Sequence, residues 1–152
     1  MKWTLDNVSE AGGYLFGRRT YEIFAAHWPN ASEEEQELAE PLNTRPKYVA
    51  STTLIEPLSW EHSKLLSGDI AQAVGAPKKQ PGGDLLVIGS TKLVHTLMEF
   101  DLVDELRLMI DPVVVGGCKR IYTNGGELRS LQLLDTEGVK TGAILAAYKV
   151  ER

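Results

Sequence analysis

The sequence predicts an α/β domain in which a mixed sheet is covered by helices. Two observations in the early part lead there: GYLFG runs directly into RRTYE, and DLLVIG runs directly into STKLV, each a strand followed at once by a helix. A third comes from the end of the chain, where LRSLQLLDT and GAILAAYKV are separated by the turn-prone EGVKTG, the pattern of an antiparallel hairpin. The 152 residues are 43% hydrophobic and 24% charged, enough for one domain spanning 1–152 that buries roughly 70% of its unfolded surface.

Taken in order, residues 13–17 form a short apolar strand. From Arg18 to Trp28 the positions Tyr21, Phe24, Ala25 and Trp28 follow the i, i+3, i+4, i+7 spacing of a helix face. Pro29 and Asn30 end that helix. Ser32 with Glu35 forms a capping box that opens a second, acidic helix, expected to stop near Pro41. KYVAS at 47–51 reads as a strand, and the stretch from Leu54 to Lys64 is irregular. A brief helix from Asp69 is expected to be cut short by Gly75 and Pro77, and QPGGD at 80–84 is a surface turn. The strand at 84–89 leads into a helix with Leu93, Val94, Leu97 and Met98 on one face, which Ser90 or Thr91 can cap. Leu106, Leu108 and Ile110 then alternate with more polar neighbours in a strand that runs towards PVVVGG, before the terminal hairpin.

Charge and composition exclude several classes. Sixteen Lys and Arg against 21 Asp and Glu leave a net charge of −5, so a broad grip on nucleic acid is not expected. The start MKWTLDNVSE lacks the apolar core of a signal peptide, and no window approaches the ~18 apolar residues of a membrane span; a soluble cytoplasmic protein is expected, with no membrane partner. Cys118 is the only cysteine, which excludes an intrachain disulfide and a Cys-rich zinc site, and His27, His62 and His95 are scattered, so no metal is expected.

Three segments carry candidate chemistry. In GRRTYE, Gly17 permits close approach, the helix terminus offers free N–H groups, and Arg18 and Arg19 can hold a phosphate, although a solvent-exposed helix start with surface arginines has the same sequence. Ser51, Thr52 and Thr53 follow a strand, where hydroxyls serve either a ligand or the turn itself. Gly89, Ser90, Thr91 and Lys92 form the third, at the carboxyl end of a strand where open α/β sheets bind ligands. The spacing there is neither GxGxxG nor that of a P-loop.

LFGRRTYEIFAAHWP, KYVASTTL, LLVIGSTKLVHTLM and LVDELRLMIDPVVVGGCKRIY together resemble the dihydrofolate-reductase-like family, in the branch of the reductase (C-terminal) domain of the bacterial riboflavin biosynthesis deaminase/reductase. The resemblance spans about Ala11 to Val150, with DELRL, PVVVGG and KR its most branch-specific part. It implies a three-layer α/β/α fold with a mixed, mainly parallel twisted sheet and a C-terminal antiparallel hairpin. The cofactor it implies is NADPH: Arg18, Arg19 and Thr20 on the 2′-phosphate side, Ser51 and Thr52 at the same phosphate and ribose, and Gly89, Ser90, Thr91 and Lys92 around the pyrophosphate. The implied reaction is hydride transfer to a small heterocyclic, pterin- or pyrimidine-like, or ribosyl carbonyl or imine. This is chemistry of the dihydrofolate reductase or 5-amino-6-(5-phosphoribosylamino)uracil reductase type. The competing class is a non-catalytic NADP-binding or assembly module that has lost the substrate half.

Two departures from the family stand out. Members begin with a strand and loop that this sequence lacks ahead of Ala11; either MKWTLDNV substitutes for that strand, with Lys2 to Asp6 pairing in the sheet, or another chain completes the sheet, or the sequence is a shortened product. A homodimer is the expected remedy, with Leu128–Asp135 and Gly142–Val150 offering apolar strands to a partner. Cys118 stands where related sequences tend to have Gly, and reads as a quiet turn residue. No catalytic acid is identified: Glu22 can simply favour its helix terminus, and Asp111 can simply shape the exit of its strand.

Overall fold

The structure is a computed structural model that describes residues 2–117, 119–122 and 125–152; Cys118, and with it the turn reading made for it, lies outside the described residues. Residues up to Val94 form one compact unit, and His95 to Arg152 form a second.

In the first unit four strands pair in parallel, in the order β3-β2-β1-β4. β1 (Gly13–Gly17) is buried along its whole length, as an inner parallel strand covered on both faces must be. It pairs with β2 (Lys47–Ala50) from Tyr14↔Lys47 to Gly17↔Ala50, and with β4 (Leu85–Gly89) from Gly13↔Leu85 to Phe16↔Gly89. β3 (Ser63–Leu66) lies outside β2. It begins inside the stretch the sequence left irregular, because SKLL is too short to show a period and becomes a strand only through its ladder to β2.

Phe16 centres an aromatic cluster, its ring 5.3 Å from Phe24, 6.0 Å from Trp60 and 6.4 Å from Tyr21. Phe24 and Tyr21 come from α2 (Arg18–His27), which hands over to a 3₁₀ turn at Trp28–Asn30 where Pro29 falls. The capping box is formed: the Ser32 amide donates to Glu35 Oε2 at 3.0 Å.

α3 (Gln36–Thr44) corrects the expected stop at Pro41, since the proline sits inside the helix and forfeits only the bond its missing N–H would have made. Burial of Ala39, Pro41 and Leu42 holds the helix together beyond that point. Its end depends on Lys47. The N–H that would serve the Leu42 carbonyl belongs to Pro46 and does not exist; the one for Asn43 belongs to Lys47 and is used on the His62 carbonyl at 2.8 Å. The buried Lys47 ammonium covers both, donating to the carbonyls of Leu42 (2.8 Å), Asn43 (3.3 Å) and Arg45 (3.1 Å), and lies 4.5 Å from the Trp60 ring centroid.

α4 (Ile70–Lys79) likewise runs through Gly75 and Pro77, correcting the short helix expected there; Asp69 caps it by accepting from the Ala71 amide, and buried Val74 anchors it. The largest correction concerns the amino terminus. Lys2–Glu10 is a helix, α1, so Lys2 to Asp6 do not supply a strand. Its carboxyl end is held from a distance: Arg45 Nη1 donates to the carbonyls of Val8, Ser9 and Ala11, and the Tyr14 hydroxyl donates to Val8 at 2.7 Å.

α5 (Thr91–Glu99) follows β4. In the second unit β5 (Glu105–Ile110), β6 (Leu131–Gly138) and β7 (Ile144–Val150) form an antiparallel sheet in the order β5-β7-β6, so the C-terminal hairpin is present. Its first strand starts at Leu131 rather than Leu128. β5 runs towards PVVVGG, as expected, and stops before it: Pro112 has no N–H for a ladder, the Val113 amide turns back to the Asp111 carbonyl at 2.8 Å, and Val113, Val114 and Val115 are exposed outside any strand. The chain end is tied by Arg152, whose guanidinium meets Asp101 at 2.9 Å and Asp104 at 3.0 Å, while Arg129 takes the other Asp101 oxygen at 2.9 Å.

Candidate functional site

The order β2-β1-β4 brings three strand ends side by side. Because all three run in parallel, Ala50, Gly17 and Gly89 end together, and the segments that follow them are the three singled out in the sequence. Neighbouring strands lie about 4.8 Å apart, so the candidate groups come from adjacent positions at one end of one sheet.

At the centre, Gly17 is the residue before α2, in an extended conformation (φ −75°, ψ 164°), and among the described residues no side chain caps the amino end of this helix. Its first N–H groups therefore lack a capping side chain, next to two exposed arginines. Arg18 is not idle: its Nη1 donates to Glu22 Oε2 at 2.9 Å, one turn along. Glu22, weighed above as an acid, is thus the partner of a candidate phosphate ligand, and both side chains are about half exposed.

The two glycine turns interlock. A Cβ on Gly89 would stand 3.0 Å from Thr20 Oγ1, and a Cβ on Gly17 would stand 2.9 Å from Ser90 Oγ and 3.3 Å from the Ser90 amide nitrogen. Each turn thus uses the missing side chain of one glycine to seat a hydroxyl residue of the other. Both glycines have a packing role that the sequence concealed, because it joins residues far apart in the chain. The Gly89–Ser90 peptide is cis. Thr91 and Lys92 continue into the first turn of α5, Thr91 half-buried and Lys92 exposed.

On the other flank, Ser51 Oγ accepts from the amides of Thr53 and Leu54, both at 3.1 Å, and lies 3.3 Å from Thr53 Oγ1. Its hydroxyl shapes the turn, as the plainer reading of a Ser after a strand has it, and it can still donate its own proton. Thr52 is exposed beside it. The same loop is anchored further on: the Trp60 amide donates to the Tyr21 hydroxyl at 3.1 Å, and Trp60 Nε1 to Asn43 Oδ1 at 2.8 Å. Asp111, the other carboxylate considered, is exposed and belongs to the second unit.

Lys47 lies at the opposite, amino end of β2, and burial pushes its ammonium down to about 8. Glu35 is held below the usual carboxylate range, first by the Ser32 amide and then by His27, 2.9 Å from it.

Parallel strands ending together in glycine- and hydroxyl-rich turns, with an antiparallel sheet following in sequence, define an α/β fold of the dihydrofolate-reductase-like class. Within that class the chain belongs to the RibD C-terminal domain family, which it matches over residues 2–145. It is similar to the uncharacterized protein YyaP of Bacillus subtilis (strain 168), 28% identical over 145 residues, which are 94% of this chain and 76% of that protein. Among solved structures it is similar to a protein of Shewanella sp. PV-4 named for riboflavin biosynthesis, with a TM-score of 0.74 and 20% identity over 95% of this chain and 77% of that one. A pyrimidine reductase-like protein of Corynebacterium diphtheriae shares the fold at a TM-score of 0.67 and 13% identity, over 93% and 77% of the two chains. Acinetobacter baumannii RibD does so with the same score and identity, over 97% of this chain and half of its own. The family is reductase-like. Among the described residues no helix is long and apolar enough to cross a membrane.

Proposed function

We propose that this protein is an NADPH-dependent reductase acting on a small heterocyclic, pterin- or pyrimidine-like, or ribosyl carbonyl or imine. The observation that carries the reading is the side-by-side ending of β2, β1 and β4 with an uncapped helix terminus and two arginines at its centre. The donor set suits a dinucleotide phosphate: N–H groups of the first turn of α2, the guanidinium groups of Arg18 and Arg19, and the hydroxyls of Thr20, Ser51, Thr52, Ser90 and Thr91. Arg18 and Arg19 would face the 2′-phosphate. Thr20, Ser51 and Thr52 would flank it and the ribose, while the turn from Gly89 through Ser90 and Thr91 to Lys92 would border the pyrophosphate. When bound, the nicotinamide supplies the hydride; the chain binds and orients.

The test is titration with both nicotinamide cofactors. Arg18→Ala is expected to weaken NADPH by about ten-fold or more, the loss of a charge-assisted phosphate contact of roughly 1.5–3 kcal/mol, while leaving NADH nearly unchanged. Equal losses for the two would remove Arg18 from a phosphate site. Turnover with pterin and ribosylaminopyrimidine substrates then separates a reductase from a protein that binds NADP without catalysis, since only the first consumes NADPH.

A further inference from the structure

We propose that Glu22 moderates the preference of this site for the phosphorylated cofactor by competing with phosphate for Arg18. The inference rests on the NADPH reading above and adds to it a residue that would never touch the reacting atoms. Arg18 and Glu22 are i and i+4 on α2, so their side chains lie on one helix face, and Arg18 Nη1 donates to Glu22 Oε2 at 2.9 Å. Among the described residues no comparable partner holds Arg19. The two neighbouring arginines therefore differ in the free protein, one engaged along the helix and the other open.

A phosphate arriving at Arg18 has to displace the carboxylate or share the guanidinium with it, and in either case it meets a negative charge one turn away. NADH carries no 2′-phosphate and meets neither cost. The pair is about half exposed, so the competition is modest, in keeping with solvent-exposed i,i+4 pairs. Glu22 acts as a positioning and specificity-determining residue that lowers the advantage of the phosphorylated cofactor below what two arginines alone would give.

The experiment is a double-mutant cycle with Arg18→Ala, Glu22→Gln and the pair, titrating NADPH and NADH at low and high salt on the full chain. Glu22→Gln keeps length and helix propensity while removing the charge. It is expected to tighten NADPH by about two- to five-fold, to leave NADH unchanged, and to lose the gain at high salt or when Arg18 is already Ala. Glu22→Asp, too short to reach the same atom, is expected to fall between Glu and Gln. An equal change for both cofactors, or a gain that persists without Arg18, would overturn the proposal while leaving the NADPH site standing. If Arg18→Ala itself leaves the NADPH to NADH ratio unchanged, the phosphate reading fails and this inference fails with it.

Discussion

Replacing Lys47 with Met tests how the first unit closes the end of α3. The methionine fills nearly the same volume but withdraws the only donor that the Leu42 and Asn43 carbonyls have among the described groups. Each orphaned buried carbonyl costs about 1–3 kcal/mol, and the lost contact with Trp60 adds roughly 0.5–2 kcal/mol. Against this stands the desolvation that Lys47 suffers. Its ammonium titrates near 8 in the folded protein against 10.5 for a free lysine, a difference of about 3 kcal/mol. At neutral pH the two sides partly offset, and a net destabilisation of roughly 1–3 kcal/mol is expected.

The pH dependence isolates the charge. Between about 8 and 10.5 the unfolded lysine keeps its proton while the folded one loses it, so the unfolded state binds more protons and stability rises with pH. Tyr14 acts in the opposite sense higher up, since burial raises its phenol above the ordinary 10.0 and stability falls once the unfolded tyrosine ionises. Urea unfolding from roughly pH 7.5 to 9.5 therefore reads Lys47 before Tyr14 intervenes. The wild-type protein should gain stability across that window by more than the Lys47→Met variant does. Parallel curves would refute a buried, charge-bearing Lys47, whatever the variant costs at neutral pH.

Three further outcomes are expected. Arg45→Ala should free the carboxyl end of α1, costing about 1.5–3 kcal/mol and exposing the amides of residues 2–10 to faster hydrogen exchange; unchanged protection there would remove Arg45 as the anchor. Gly89→Ala should cost about 1–3 kcal/mol by pressing on Thr20, and Thr20→Ala should recover much of that loss in the double variant, as thermal melts would show; additive losses would mean the two turns do not interlock. We propose that the protein is a homodimer, with the exposed Val113–Val115, Leu133 and Leu134 as apolar surface for a partner; light scattering that finds a folded monomer at micromolar concentration would refute it.

Much of the fold was legible because its strands announce themselves locally. GYLFG, KYVA and LLVIG are short apolar runs bounded by breakers, and each lies within a residue or two of its expected limits. The capping box at Ser32 and Glu35 was equally local. What escaped depends on distant partners. α1 shows no clean helix face and ends under an arginine from beyond α3; β3 exists through β2; α3 and α4 continue past prolines because buried side chains outweigh one missing hydrogen bond. At the site, sequence found the three turns. It could not find that Gly17 and Gly89 accommodate each other's hydroxyl neighbours, since that joins residues far apart in the chain, and although Glu22 is the one carboxylate of α2 and stands four residues after Arg18, that spacing alone does not say that two exposed side chains meet.

The register of β1 has a consequence for synthesis. Its partner on one side, β2, leaves the ribosome soon after it, but the strand on its other side begins only at Leu85. While the intervening chain is being made, β1 has an open edge bearing Tyr14, Leu15 and Phe16, which are fully buried in the finished protein. Such an edge is a template for the wrong strand, from the same chain or another. The arginines therefore emerge early, and their surroundings are completed only when Gly89 and Ser90 arrive. A chain stalled before β4 would present Arg18 and Arg19 without the Gly89–Ser90 turn and, beside them, an unprotected apolar edge.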